Sequence, residues 1–181
     1  MNSPKKNGNK TLILLLLAFI LPVVAAKLVL SFDLYKGGVT NKGQLLANNA
    51  SYHSLKMENP KPREWQLIYL LPSHCGAVCQ DRLYILQQSH TALGRNQDRV
   101  STIVMVDEHS DTSALANFDM ITARPSQQLS QQLNQQQLVI IDPLGNLVMS
   151  YPVAEDHQAQ IMQGKALVAD LRKLLKLSRI G

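Results

Sequence analysis

Cysteine is almost absent from this chain: Cys75 and Cys79 are the only two in 181 residues, and three residues separate them. Acid is missing from the first ten residues, which carry Lys5, Lys6 and Lys10. Charged residues make up only 17% of the whole. No glycine-rich phosphate loop follows a strand and no Gly-x-Ser-x-Gly occurs, so phosphate-loop and serine-hydrolase chemistry find no support. No basic stripe with interleaved aromatics is present, so nucleic acid is not an expected partner despite a net charge of +5. Asp107, Asp111 and Asp142 read as helix caps and turn residues rather than as a carboxylate cluster.

What is present begins with an uncharged apolar run from Thr11 to Ala26, which resumes after Lys27 as Leu28 to Phe32. Over 11–31 it is about 20 residues, enough for a helix to cross a bilayer. Positive charge ahead of the run predicts a cytoplasmic tail (1–10), a single transmembrane anchor (11–31) and an exported C-terminal part. Val24-Ala25-Ala26 has the small-residue look of a cleavage site, so a signal peptide is the rival reading; the apolar residues beyond it favour an anchor that is kept. Five more cations, Lys165, Arg172, Lys173, Lys176 and Arg179, fall on the last predicted helix and read as a solvated face near anionic lipid.

Residues 32–61 are polar and glycine- and asparagine-rich, and read as a linker leading into a short N-terminal hairpin. Pro60 and Pro62 mark the entry to a core domain over 62–181. Trp65 to Leu71 is mostly apolar and ends at Pro72, which suits a strand buried on both faces. Cys79, Leu83, Leu86, His90 and Leu93 follow helical spacing, with Gly94 as the stop. Val100 to Val106 is a second buried strand, and Asp111 to Ser113 offer caps for a short helix through Phe118. The Gln- and Ser-rich stretch 126–137 reads as a surface loop or weak helix. Leu138 to Asp142 and Leu147 to Tyr151 form a hairpin about Pro143 to Asn146. A final helix over Asp156 to Leu177 carries a leucine stripe. Strands alternating with helices predict an α/β sheet, and the order fits a thioredoxin-like fold with both cysteines at a strand-to-helix junction.

Two thiols at this spacing have three uses. They can bind a soft ion such as Cu(I), which thiolates select. They can act as a redox dithiol, with a thiolate favoured at the helix N-terminus. They can also form a plain disulfide, although so short a loop removes little unfolded-chain entropy. His74, beside Cys75, and His109 are the candidate nitrogen ligands; His90 falls on the apolar helix face and reads as a core or boundary residue. A typical thioredoxin-type enzyme resembles Cys-x-x-Cys with a cis-proline before its third strand. Here the spacing is one residue longer, and Gln135-Gln136-Gln137 stand before that strand.

His74-Cys75-x-x-x-Cys79 after a strand resembles the SCO/SenC family, copper-linked assembly factors of cytochrome c oxidase, whose usual pattern is Thr-His-Cys-Pro-x-x-Cys-Pro. Val106-Asp107-Glu108-His109-Ser110-Asp111-Thr112 resembles the family's Val-Asp-Pro-Glu-Arg-Asp-Thr, and Ile140-Ile141-Asp142-Pro143-Leu144-Gly145 resembles its Ile-Asp-Pro-x-Gly hairpin. The likeness runs over residues 62–177 in the right order. Gly76 and Gln80 replace both prolines of the cysteine loop. The run from Gln127 to Gln137, which precedes the hairpin where the family has its distal copper-binding histidine, holds none.

The resemblance implies an SCO-type thioredoxin-like domain behind the anchor, on the periplasmic side of a bacterial inner membrane. It implies work in oxidase biogenesis with oxidase subunits or other assembly factors as partners. Cys75 and Cys79 would pass Cu(I) to the oxidase or keep its copper-binding cysteines reduced. The missing histidine leaves two further readings: a copper-dead scaffold protein, and a thiol-disulfide oxidoreductase.

Overall fold

The computed structural model describes residues 8–32, 41–46, 50–133 and 136–180. The expected cytoplasmic tail falls largely outside these, as does most of the linker between the anchor and residue 41. Two compact units are present, residues 1–40 and 41–181. In the first, helix α1 (Gly8–Ser31) contains a stretch, Lys10–Val29, that is long and apolar enough to cross a membrane, with all of its described side chains exposed.

The second unit is a mixed sheet with helices on both faces. Its elements are β1 (Gln44–Leu45), β2 (Trp65–Leu70), α2 (Ala77–Ala92), β3 (Val100–Met105), β4 (Ile121–Ala123), α3 (Gln127–Gln132), β5 (Leu138–Ile141), β6 (Leu147–Tyr151) and α4 (His157–Leu177). Strand order is β1-β6-β5-β2-β3-β4. β2 runs parallel to β3, and β3 to β4, while β5 is antiparallel to both β2 and β6.

Side chains on successive strand residues point to opposite faces, and both faces here are covered. Leu67, Tyr69, Leu138 and Ile140 pack with Leu83 and Leu86 of α2 and Leu167 and Leu171 of α4. Ile68, Ile103, Val139 and Ile141 pack the other way, against Tyr52 and against Leu129 and Leu133 at α3. Burial on both sides is why β2 and β5 read as unbroken apolar runs. Gln66 interrupts the run, and its side chain is fully paired: it accepts from the Tyr52 hydroxyl at 2.7 Å and donates to Asn59 Oδ1 at 2.7 Å and to the Lys61 carbonyl at 2.8 Å.

Two expectations need correction. The described part of 32–61 forms no local hairpin: Gln44 and Leu45 pair with β6, and Ser51 bridges to Asn146, because a strand this short gains more from the free edge of the sheet. The compact unit accordingly begins at Asn41 rather than at residue 62. Buried Asp170 of α4 ties its start down, accepting from the Lys42 and Gly43 amides at 2.7 and 2.9 Å and from the Tyr151 hydroxyl at 2.9 Å. The Gln-rich stretch contains a capped helix, α3, in which Ser126 Oγ accepts from the Leu129 amide at 3.1 Å. The short edge strand β4 adds an element that the sequence pattern does not announce.

Candidate functional site

β2 ends where Leu71 donates to the Met105 carbonyl and Pro72 stops the ladder. The chain then turns through Ser73 and His74, and Gly76 opens α2 with extended backbone and no side-chain cap. The first amides of α2 are therefore left without a cap, and the positive end of the helix dipole lies at the cysteine loop. Cys75 precedes the helix and Cys79 sits in its first turn. Their Cα atoms are 5.1 Å apart and the two sulfurs form a disulfide. The two cysteines differ in access: Cys75 is partly exposed, whereas Cys79 is 1% exposed among the leucines of α2.

The loop after β3 is fastened to this turn. Ser110 Oγ donates to the Leu71 carbonyl at 2.8 Å, and the Asp111 amide donates to the Pro72 carbonyl at 2.9 Å. Asp111 Oδ2 accepts from the Cys75 amide at 3.2 Å, and its Oδ1 accepts from Ser113 Oγ at 2.5 Å. The Ser113 hydroxyl, then the Cys75 amide, hold the Asp111 carboxyl below the usual carboxylate range, and the nearby His74 adds to this. Asp111 is thus a site residue that reads from sequence as a cap. The only sequence signal for it is its place in the SCO-like segment 106–112.

The two candidate histidines do not join the sulfurs. His74 is exposed beside Cys75 and near Asp111. His109 is exposed too, and its own amide is turned onto Asp107 Oδ1 at 2.8 Å. Among the described residues no three His, Cys, Asp or Glu side chains come together as a metal-binding group. The donor set fits Cu(I) as cargo only after the disulfide is reduced, and then with two soft sulfurs; the nitrogen ligands that Cu(II) wants are not assembled. Asp107 and Asp142 are turn residues, as expected, with Asp142 accepting from the Leu144 and Asn146 amides at 2.9 and 2.8 Å.

One turn beyond Cys79 lies a group that sequence reasoning passed over. Arg82 is fully buried, and its Nη1 donates to Gln163 Oε1 at 2.5 Å. Its Nε and Nη2 have no hydrogen-bond partner among the described residues. Desolvation lowers its pKa, since burial penalises the charged form. Tyr69, across from it on β2, donates to Gln136 Oε1 at 3.2 Å.

Residues 65–178 match the family model of the transmembrane-like, thioredoxin-like, C-terminal domain. The chain belongs to that family. Among solved structures it is similar to apo Sco1 from Thermus thermophilus, at 17% identity and a TM-score of 0.53, covering 76% of this chain and 99% of that one. Yeast Sco1 with copper bound matches at 15% identity and a TM-score of 0.49, over 65% of this chain and 81% of that one. A putative protein disulfide isomerase from Bacteroides thetaiotaomicron matches at 13% identity and a TM-score of 0.43, over 64% and 76%. No curated protein matches the chain. At these identities the likeness to Sco1 establishes the thioredoxin-like fold alone, and this family member carries its cysteine pair at the junction where β2 hands over to α2.

Proposed function

We propose that this chain is a membrane-anchored, SCO-like thiol-disulfide protein of cytochrome c oxidase biogenesis, which keeps the copper-binding cysteines of an oxidase subunit reduced. The observation that carries the redox half of this reading is the asymmetric pair: a partly exposed Cys75 bonded to a buried Cys79 at a helix N-terminus. The oxidase assignment rests on the SCO-like segments at 74–79, 106–112 and 140–145. α1, with lysines ahead of it, supports an anchor in a bacterial inner membrane and a domain on the periplasmic side.

In the reaction, the reduced Cys75 thiolate attacks a partner disulfide and expels one partner thiolate, leaving a mixed disulfide. The Cys79 thiolate then attacks Cys75 Sγ and expels the second. Two electrons pass to the partner, protons from the two cysteine thiols balance the two released thiolates, and the Cys75–Cys79 disulfide remains. An external dithiol must reduce it again for a further cycle. Asp111 fixes the backbone of the attacking residue, while the α2 N-terminus favours its thiolate.

Cys79→Ser should accumulate a mixed disulfide through Cys75, seen as an adduct that dithiothreitol removes, and Cys75→Ser should not. If the double-serine chain restores oxidase activity in cells lacking the protein, the dithiol reading fails and the scaffold reading takes its place. Cu(I) delivery is the second reading, favoured by the two soft sulfurs alone. It requires one-to-one Cu(I) binding by the reduced chain, in competition with a chromophoric chelator, that the double-serine variant lacks.

A further inference from the structure

α4 carries its charge with one sign. Its only acid, Asp170, is 1% exposed and bound to the Lys42 and Gly43 amides and the Tyr151 hydroxyl, with Lys173 Nζ 3.9 Å from its Oδ1, whereas Lys165, Arg172, Lys173 and Lys176 are all exposed. Met162, Lys165, Ala169, Arg172 and Lys176 recur at steps of three and four and so line one outward stripe, about 21 Å long at 1.5 Å per residue. Large apolar side chains stand beside these cations: Leu177 is 81% exposed, Met162 53%, Ile180 53% and, from α2, Tyr84 54%. Along the stripe a groove of about 400 Å³ opens between α2 and α4, lined by Tyr84, Ile85, Ile161 and Val168 together with Lys165 and Arg172, and no acid lines it. This face lies outside the cysteine site, and the proposed redox chemistry makes no use of it.

We propose that the α4 face docks on a bilayer surface that contains anionic lipid, its cations on the headgroups and Met162, Leu177 and Tyr84 at the acyl boundary. Charge complementarity selects this occupant. A stripe of cations with exposed apolar neighbours is what an interfacial helix presents to anionic lipid. Its cations run from Lys165 to Lys176, one turn past the groove, farther than one acid on a bound peptide would span. The anchor proposed above would hold a bilayer within reach at high effective concentration, so in that respect the inference rests on the anchored reading.

The test uses the full chain with lipid discs of phosphatidylcholine alone or with added phosphatidylglycerol, each containing a headgroup spin label or its diamagnetic control. The Met162 and Leu177 methyl signals should broaden in discs with phosphatidylglycerol, recover at high salt, and stay sharp in phosphatidylcholine discs. Each cation at such a surface is worth about fivefold. Lys165→Glu with Lys176→Glu should therefore lower the docked-to-free ratio by roughly 30-fold or more. Both lysines are exposed with no ion pair among the described residues, so the fold should tolerate the change. Equal broadening in the two lipids, or none in either, overturns the proposal. Broadening that is the same with the diamagnetic control means that a second copy covers the face, and overturns it too. Co-elution of the chain with phosphatidylcholine discs reports α1 insertion separately, so failure of the anchor and failure of the docking are told apart.

Discussion

Single residues decide what the cysteine loop can do, and Asp111 decides most. Its carboxyl is held below the ordinary range, first by Ser113 and then by the Cys75 amide. A depressed folded-state pKa means that this contribution is fully present above the unfolded carboxylate value, about 3.9, and is lost only as pH falls through the lower folded value. The Cys75 amide resonance should therefore hold constant from neutral pH down through that value and shift below it; a midpoint above it would show that the latch is not formed. Asp111→Asn should keep the bond to the amide through its carbonyl oxygen and remove the titration. Arg82 shows the limit of reading single residues from sequence. A charge on a helix is expected to face water, and nothing in Cys79-Gln80-Asp81-Arg82 says that this one faces the core. Replacing a buried, poorly paired charge by an apolar residue of similar length is often neutral or stabilising. Arg82→Met should then leave urea stability within about 2 kcal/mol of the parent, and a much larger loss would reveal a partner for the guanidinium.

At the scale of elements, legibility followed burial. β2, β3, β5 and β6 are apolar runs because both faces of the sheet are covered, and they stand where the residue pattern places them. α3 was obscured by composition: seven glutamines over 127–137 surround Leu129 and Leu133, yet those two leucines, four apart, are both fully buried. β4 is three residues on an edge, largely exposed, and has no periodicity to find. β1 depends on a close approach rather than on propensity. A Cβ on Gly43 would lie 2.5 Å from Tyr151 Cζ and 2.7 Å from Met149, so Gly43→Ala should cost about 1–3 kcal/mol through overpacking. Asp170→Ala strips three donors of one acceptor and should cost roughly 3 kcal/mol or more, whereas Asp170→Asn keeps an acceptor and should cost less. Urea unfolding of the three variants checks the order.

Across the whole molecule, the fold class, the junction carrying both cysteines and the candidate span were all visible in the residues. The start of the domain was not, because most of what binds residues 41–61 to it is distant in sequence: Asp170, Asn146 and the edge of β6. Deleting 41–61 should leave a thioredoxin-like remainder with a bare β6 edge and a buried Asp170 carboxylate stripped of its two amide donors, markedly easier to unfold in urea than the intact chain. Equal midpoints would mean that the segment only decorates the sheet.

The bonds from Lys42 and Gly43 to Asp170 span 128 and 127 residues. The first stretch of the domain to be synthesised must wait for its last helix before its amides find their acceptor. Until then only its few backbone bonds to β6 hold β1 in place, and the sheet has a poorly covered edge. Closure over so long a loop is slow, so the domain should mature after synthesis rather than during it, and should depend, while unfinished, on whatever keeps that edge from pairing with another chain.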